Sequence, residues 1–229
     1  MPFYNRAHLL RDAIESILQQ TYPNIELVLV NDGSTDDYLE VVNPYLDRSN
    51  VHFITYEKNR GIAYARNKGL EYLNKLNCDY FTIHDSDDIS DVTRFEKVIS
   101  YFDNNTLGIK TQYIKTDLDN KVYYENGIYT TRCGEGIAFF SKEAFKLLGY
   151  FNSMVVGEDT DYWWRLEGLV KLNPQYNYKE HKEILYFARK HDNNTSKNHE
   201  KNYHLIWKQI RKDIREMAKT GNFYRNIFK

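Results

Sequence analysis

Short apolar runs and amphipathic stretches alternate along the first hundred residues. Ile25 to Val30 is apolar at every position except Glu26, the mark of a strand buried on both faces. Val51 to Tyr56 and Asp79 to His84 are two further strand-length runs. Between them lie helical patterns. Ala7 to Gln20 places Leu10, Ala13, Ile14, Ile17 and Leu18 on one stripe, Ser34 is set to cap a helix start, and Gly61 to Leu76 reads as a helix. A β-α-β-α-β order predicts parallel strands joined by right-handed crossovers. The fold class is therefore α/β, a Rossmann-like, mostly parallel sheet with helices on both faces.

After Asn104 the rhythm changes. Leu107 to Thr116 and Lys121 to Tyr124 predict a hairpin across Asp119-Asn120, and Gly136 to Phe140 another short strand. Lys142 to Leu148 and Glu158 to Gly168 predict helices, Ile184 to Ala188 a strand, and Asn198 to Lys219 a long terminal helix. No repeat, linker or low-complexity segment divides the chain. One domain is expected over 1–229, with halves at 1–104 and 105–197 and a tail at 198–229.

Composition narrows the function. A formal net charge of -1 over 229 residues gives no electrostatic reason to expect nucleic acid as a partner. Two cysteines, Cys78 and Cys133, lack framework or metal-ligand spacing and suggest a reducing, cytoplasmic setting. No apolar run approaches the ~20 residues of a membrane span.

The chemistry sits at strand ends. Pro2-Phe3-Tyr4-Asn5-Arg6 precedes the first helix, and Asn31-Asp32-Gly33-Ser34-Thr35-Asp36 follows a strand. Asn59-Arg60-Gly61 opens the Gly61 helix, and Asp85-Ser86-Asp87-Asp88 ends the third strand. In a parallel sheet these clusters share one edge, where ligands of open α/β sheets collect. Two aspartates one residue apart suit Mg²⁺ or Mn²⁺, which take oxygen ligands and can carry a diphosphate. Taken singly, each cluster also fits turn and capping chemistry. A nicotinamide-binding alternative lacks the G-x-G-x-x-G after the first strand.

The phrases PFYNRAHLLRDAIES, VNDGSTDD, NRGIAYARNKGL, DYFTIHDSDD and GEDTDYWWRL, in this order, closely resemble glycosyltransferase family 2, inverting enzymes of the GT-A fold. The resemblance covers roughly residues 1 to 170. It implies transfer of a sugar from a nucleotide-sugar, typically a UDP-sugar, to a hydroxyl of a glycan or lipid-linked acceptor. Residues 1–104 become the nucleotide-sugar half and 105–197 the acceptor half. Phe3, Tyr4, Asn5, Asp32, Arg66, Asp85 and Ser86 would contact the donor, and Asp87 the divalent cation. The resemblance makes Asp159 the general base, with Glu158, Trp163 and Trp164 beside the acceptor. Adjacent helical positions diverge by about 100°, so at most one of the two indoles is expected to face it. His191 is a candidate metal ligand or diphosphate contact, with Arg189 or Lys190 adding positive charge. His84 stands where the family usually has an apolar residue, and is expected to be satisfied by a backbone partner.

The alternative from another class is a catalytically silent nucleotide-sugar-binding or scaffold protein on the same fold. Two expectations concern the ends. The family's buried strand before P-F-Y-N is missing here, which should leave the sheet with unpaired inner edges. In the last helix, Leu205, Ile206, Ile210, Ile214 and Met217 make an apolar stripe beside Lys208, Arg211, Lys212, Arg215 and Lys219. Such a helix can lie on an anionic membrane surface at the inner face.

Overall fold

The apolar run ahead of Asn31 does form a strand sealed on both faces. In the computed structural model, which describes residues 1–123, 131–191 and 203–225, β2 (Leu27–Asp32) is buried at all six positions. It pairs in parallel with β3 (Val51–Tyr56) on one side and with β1 (Pro2–Phe3) on the other. Helix α1 (Ala7–Leu18) links β1 to β2 and buries Leu10, Ala13, Ile14 and Ile17, the predicted stripe. Helix α2 (Tyr38–Val42) starts later than the cap expected at Ser34. Ser34 does not cap it, because its Oγ accepts the Asn5 N–H at 2.9 Å instead. Helix α3 (Ile62–Lys75) leads to β4 (Tyr80–Thr82), and β5 (Ile89–Ser90) and α4 (Arg94–Ser100) follow.

The second half builds a mixed sheet around β6 (Thr106–Thr116). Its order is β4, β8 (Phe139–Ser141), β6, β9 (Asn177–Arg189), β5, with β7 (Thr131–Cys133) also on β6. Only the β6–β9 contact there is parallel, so parallel pairing does not run through the whole molecule. Gly136 is not in a strand. It lies in a 3₁₀ turn, Glu135–Ile137, and the strand starts only at Phe139. Helices α5 (Lys142–Leu148) and α6 (Glu158–Leu172) complete this half, and α7 (Tyr203–Thr220) packs on α6.

The opening residues are not wholly without a strand. Pro2 and Phe3 pair with Val30 and Asn31, and the Met1 amino group donates to the Val28 carbonyl at 2.8 Å. This short β1 does not reach along β2, and the two sheets do not join. Between β2 and β4 lies a cavity of about 440 Å³, lined by Val28, Leu70, Leu73, Phe81 and Ile83 among others.

The terminal helix uses its apolar stripe internally. Ile206 and Ile210 approach Gly157, and Ile214 approaches Gly168, both on α6 or at its start. Of the predicted stripe only Leu205 is exposed, at 56%. The stripe is therefore not free to enter a membrane. Among the described residues no helix is long and apolar enough to cross one.

Candidate active site

Glycines shape the loops that meet at the end of β2. Gly33 has φ +79°, and a Cβ there would lie 2.5 Å from the Asn59 nitrogen, so the loop after β3 crosses directly over it. Only a residue without a side chain allows that approach. Asp32, buried at the strand end, accepts the Arg60 and Gly61 N–H groups at 2.9 and 2.8 Å. Asn5, itself at φ +51°, accepts the Thr35 N–H at 2.8 Å through its side chain. Asn5 and Asp32 thus lock three loops into one rim. A carboxylate oxygen has a second lone pair, so Asp32 retains acceptor capacity for a ligand.

Strand parity corrects one expectation. Alternate residues point to opposite faces, and Phe3 points inward, 3% exposed, against Tyr38 and Phe53. It cannot flank a nucleotide. Tyr4, 44% exposed, points outward at the rim.

The centre of the site is a buried ion network. Arg66, on α3, donates to Glu158 at the start of α6 and to Asp85 at 3.1 Å. Burial opposes the guanidinium's charge, but Glu158 and Asp85 outweigh it and push the Arg66 pKa up. Burial likewise raises the Glu158 carboxyl, with Arg66 opposing. For Asp85 desolvation also raises the pKa against Arg66, although its side chain keeps 36% exposure and solvent at that open edge moderates the shift. Glu158 is therefore committed to Arg66 and is not an acceptor contact.

The carboxylates after β4 divide their work. Asp88 is buried and accepts the Arg189 N–H at 2.9 Å. Burial, with Asp87 and Asp85 nearby, holds its pKa well above the usual carboxylate range. Ser86 is buried beside it. Asp87 keeps partial exposure, and its Oδ2 lies 2.9 Å from His191 Nε2 and 3.4 Å from Arg6 Nε. The contact with His191 is a hydrogen bond, and it sets an imidazole nitrogen beside a carboxylate, two groups that can both ligate a divalent cation. By donor chemistry Asp87 and His191 suit a divalent cation. Among the described residues no group of three or more His, Cys, Asp or Glu side chains forms a metal cage. Mg²⁺-type ions bound by one or two carboxylates plus substrate phosphates do not require one.

Two basic residues near His191 differ from expectation. Arg189 is buried, donating to the carbonyls of Asp87 and Leu9 and to Asp12 at 2.7 Å, so it anchors the Asp87 loop to α1. Lys190 lies over the Tyr123 ring. Residues 192 to 196 of the polar loop lie outside the described residues. His84 is buried with Nδ1 2.8 Å from the Asp85 carbonyl, the backbone partner expected for it.

Asp159 is partly exposed at the first turn of α6 and accepts the Thr160 N–H through Oδ1 at 2.7 Å. The indoles do not flank it. Trp163 is fully buried against Phe140 and Tyr178 and donates to Glu167 at 2.6 Å, leaving no face for a sugar. Trp164 packs against the core with Arg211 of α7 over its ring. Tyr186 and Arg94, which hold the floor from β9 and α4, carried no local signal, since both work through partners distant in sequence.

Comparison with known proteins identifies the family. A family profile described as glycosyl transferase family 2 matches residues 1–214. An uncharacterized glycosyltransferase of Haemophilus influenzae is 42% identical over 108 residues, 47% of this chain and 42% of that protein. The poly-beta-1,6-N-acetyl-D-glucosamine synthase of Staphylococcus epidermidis is 26% identical over 182 residues, 71% of this chain and 43% of that protein. The chain spans less than half the length of these relatives. The fold is similar to that of S. aureus TarS 1-349 in complex with UDP, with a TM-score of 0.65 at 18% identity over 82% of this chain and 59% of that one. It is also similar to the mannosyltransferase PcManGT from Pyrobaculum calidifontis in complex with GDP-Man and Mn2+, with a TM-score of 0.61 at 18% identity over 81% and 54%. Because that profile matches residues 1–214, most of its length, this chain belongs to glycosyltransferase family 2.

Proposed function

We propose that this protein transfers a sugar from a nucleotide-sugar, most simply a UDP-sugar, to a hydroxyl of a glycan or lipid-linked glycan, with inversion at the anomeric carbon. The observation that carries this reading is the division of labour at the start of α6. Glu158 turns inward onto Arg66, which also holds Asp85 of the D-x-D loop, while Asp159 stays open to the cleft. One buried arginine thus fixes the candidate base relative to the candidate diphosphate site. Relatives and structural neighbours with UDP, GDP-Man or poly-N-acetylglucosamine in their names support the substrate class.

In this reading Tyr4 and the loops locked by Asn5 and Asp32 hold the nucleotide, and Asp87 with His191 would hold Mn²⁺ or Mg²⁺. The cation, when bound, stabilises charge on the departing diphosphate. Asp159 takes the proton of the acceptor hydroxyl as its oxygen bonds to the anomeric carbon. The anomeric carbon–phosphate oxygen bond breaks, and its electron pair leaves with the nucleoside diphosphate. A carboxylate suits the proton step because the hydroxyl is a weak nucleophile at neutral pH.

The test is nucleotide release from a panel of nucleotide-sugars, with and without chelator, for the native chain and Asp159→Asn. The amide is nearly isosteric but cannot take the proton, so UDP affinity should persist while transfer falls ~10²–10⁴-fold. Loss of UDP binding in that variant would move Asp159 to the donor side. No turnover by the native chain with any donor and metal would favour a silent binding protein.

A further inference from the structure

We propose that Gly136 is a positioning residue for the base, an inference that rests on Asp159 being that base. A Cβ built on Gly136 would lie 2.8 Å from Asp159 Oδ2, and the other atoms near it are also those of Asp159, at 3.8 and 3.9 Å. Among the described residues no other group crowds the position. The missing side chain makes the space in which the carboxylate rests, with Oδ1 on the Thr160 N–H and Oδ2 against the glycine.

The turn that carries Gly136 is held at both ends and is poorly able to recede. At one end, Glu135 lies 3.8 Å from Lys110 Nζ. Lys110 is itself buried, bonded to Glu180 at 2.9 Å and placed over the Trp163 ring at 4.3 Å. Trp163 lies one turn along α6 from Asp159, so the same helix carries both the base and a wall of the clamp. At the other end, the Ile137 carbonyl accepts from Arg94 Nη2 at 2.7 Å, and Arg94 is fully buried. Between these anchors the backbone of Gly136 is a fixed stop.

A methyl group added there must displace something, and the two-torsion side chain of Asp159 is the softest neighbour. The fold should therefore tolerate Gly136→Ala while the carboxylate swings away from the acceptor. A displacement of about 1 Å at a reacting group costs on the order of 10²-fold in rate.

The experiment measures transfer kinetics, UDP affinity by calorimetry and thermal stability for Gly136→Ala beside Asp159→Asn. The expected result is kcat lowered ~10–100-fold with donor KM and UDP affinity within about twofold of the native chain and melting temperature changed by only a few degrees. Native kcat in Gly136→Ala with Asp159→Asn inactive would overturn the positioning role and leave the base reading intact. Normal transfer by Asp159→Asn would overturn the base reading. Gross unfolding of Gly136→Ala, or loss of UDP binding with it, would overturn the claim that the carboxylate is what yields.

Discussion

Glu158 is the buried counter-ion of Arg66, a residue 92 positions earlier in the chain. The pair joins α3 to α6 and so fastens the two halves of the molecule beneath the cleft. Removing one partner of such a pair strands the other charge away from water, which typically costs ~3–5 kcal/mol. Glu158→Ala should lose stability on that scale by urea denaturation. Glu158→Gln, which keeps a hydrogen-bond acceptor, should lose clearly less. Equal small losses in both would mean that Asp85 alone satisfies Arg66.

Asp87 keeps partial exposure while Asp88, its neighbour, is turned into the protein. Metal dependence should follow that difference. Asp87→Ala should abolish Mn²⁺-stimulated turnover and weaken UDP binding chiefly when Mn²⁺ is present, and chelation should do the same to the native chain. Calorimetry with and without Mn²⁺ checks this. A variant as responsive to the metal as the native chain would remove Asp87 from the cation site.

Elements with strong local patterns were legible in the sequence, and those decided by distant partners were not. The run ahead of Asn31 could only be a strand sealed on both faces, and α1 announced its stripe. Ser34 looked like a helix cap because nothing local showed that the Asn5 N–H would claim its hydroxyl. Phe3 and Tyr4 were equal candidates until strand parity sent one inward and the other out. Glu158 and Trp163 sit beside Asp159 in sequence, but helical geometry turns them to Arg66 and to the core. The donor loops are local motifs at strand ends. The surroundings of Asp159 are assembled by contacts across the fold, so they could not be read from adjacent residues.

The cavity between β2 and β4 gives a stability test independent of activity. Gly69, within α3, borders it, and an added Cβ would meet Val30 Cγ2 at 3.4 Å, ordinary van der Waals contact. Alanine is favoured over glycine inside a helix by about 1 kcal/mol, and a buried methyl adds about 0.8 kcal/mol more. Gly69→Ala should therefore raise the melting temperature by roughly 3–6 °C. A lower melting temperature would mean that α3 and β2 meet without slack.

Acid sensitivity should centre on His84. Burial, with Arg94 next in effect and the Met1 amino group and Arg189 adding to it, holds its pKa well below 6.5, against the Asp85 carbonyl. The folded state therefore refuses a proton that the unfolded chain accepts below about pH 6.5, and this contribution to stability is lost as pH falls. Asp88, with its raised pKa, works in the opposite direction as pH falls, so only a comparison isolates the histidine. Between pH 7.5 and 5.5 the native chain should lose about 1 kcal/mol more than His84→Phe, which keeps a ring beside Tyr186. Parallel losses in the two proteins would show that His84 takes its proton while folded.

The terminal helix provides the last test. Ile210 is 1% exposed and faces Gly157 at the start of α6, whereas Leu205 is 56% exposed on the same helix. If α7 is part of the domain, Ile210→Ala opens a cavity next to the turn that carries Glu158 and Asp159. Large-to-small changes at such buried sites cost ~2–5 kcal/mol, and those at exposed positions stay within about 0.5 kcal/mol. Ile210→Ala should therefore destabilise the protein and, by loosening the start of α6, lower transfer as well, while Leu205→Ala should do neither. The exposed basic side chains Lys208, Lys212, Arg215 and Lys219 remain outside that packing, whereas Arg211 lies over the Trp164 ring. Any binding to anionic vesicles should therefore be electrostatic and disappear in high salt, where the Debye length falls to about 3 Å at 1 M. Salt-resistant binding that is lost in Leu205→Ala would instead assign the outer face of α7 to membrane insertion.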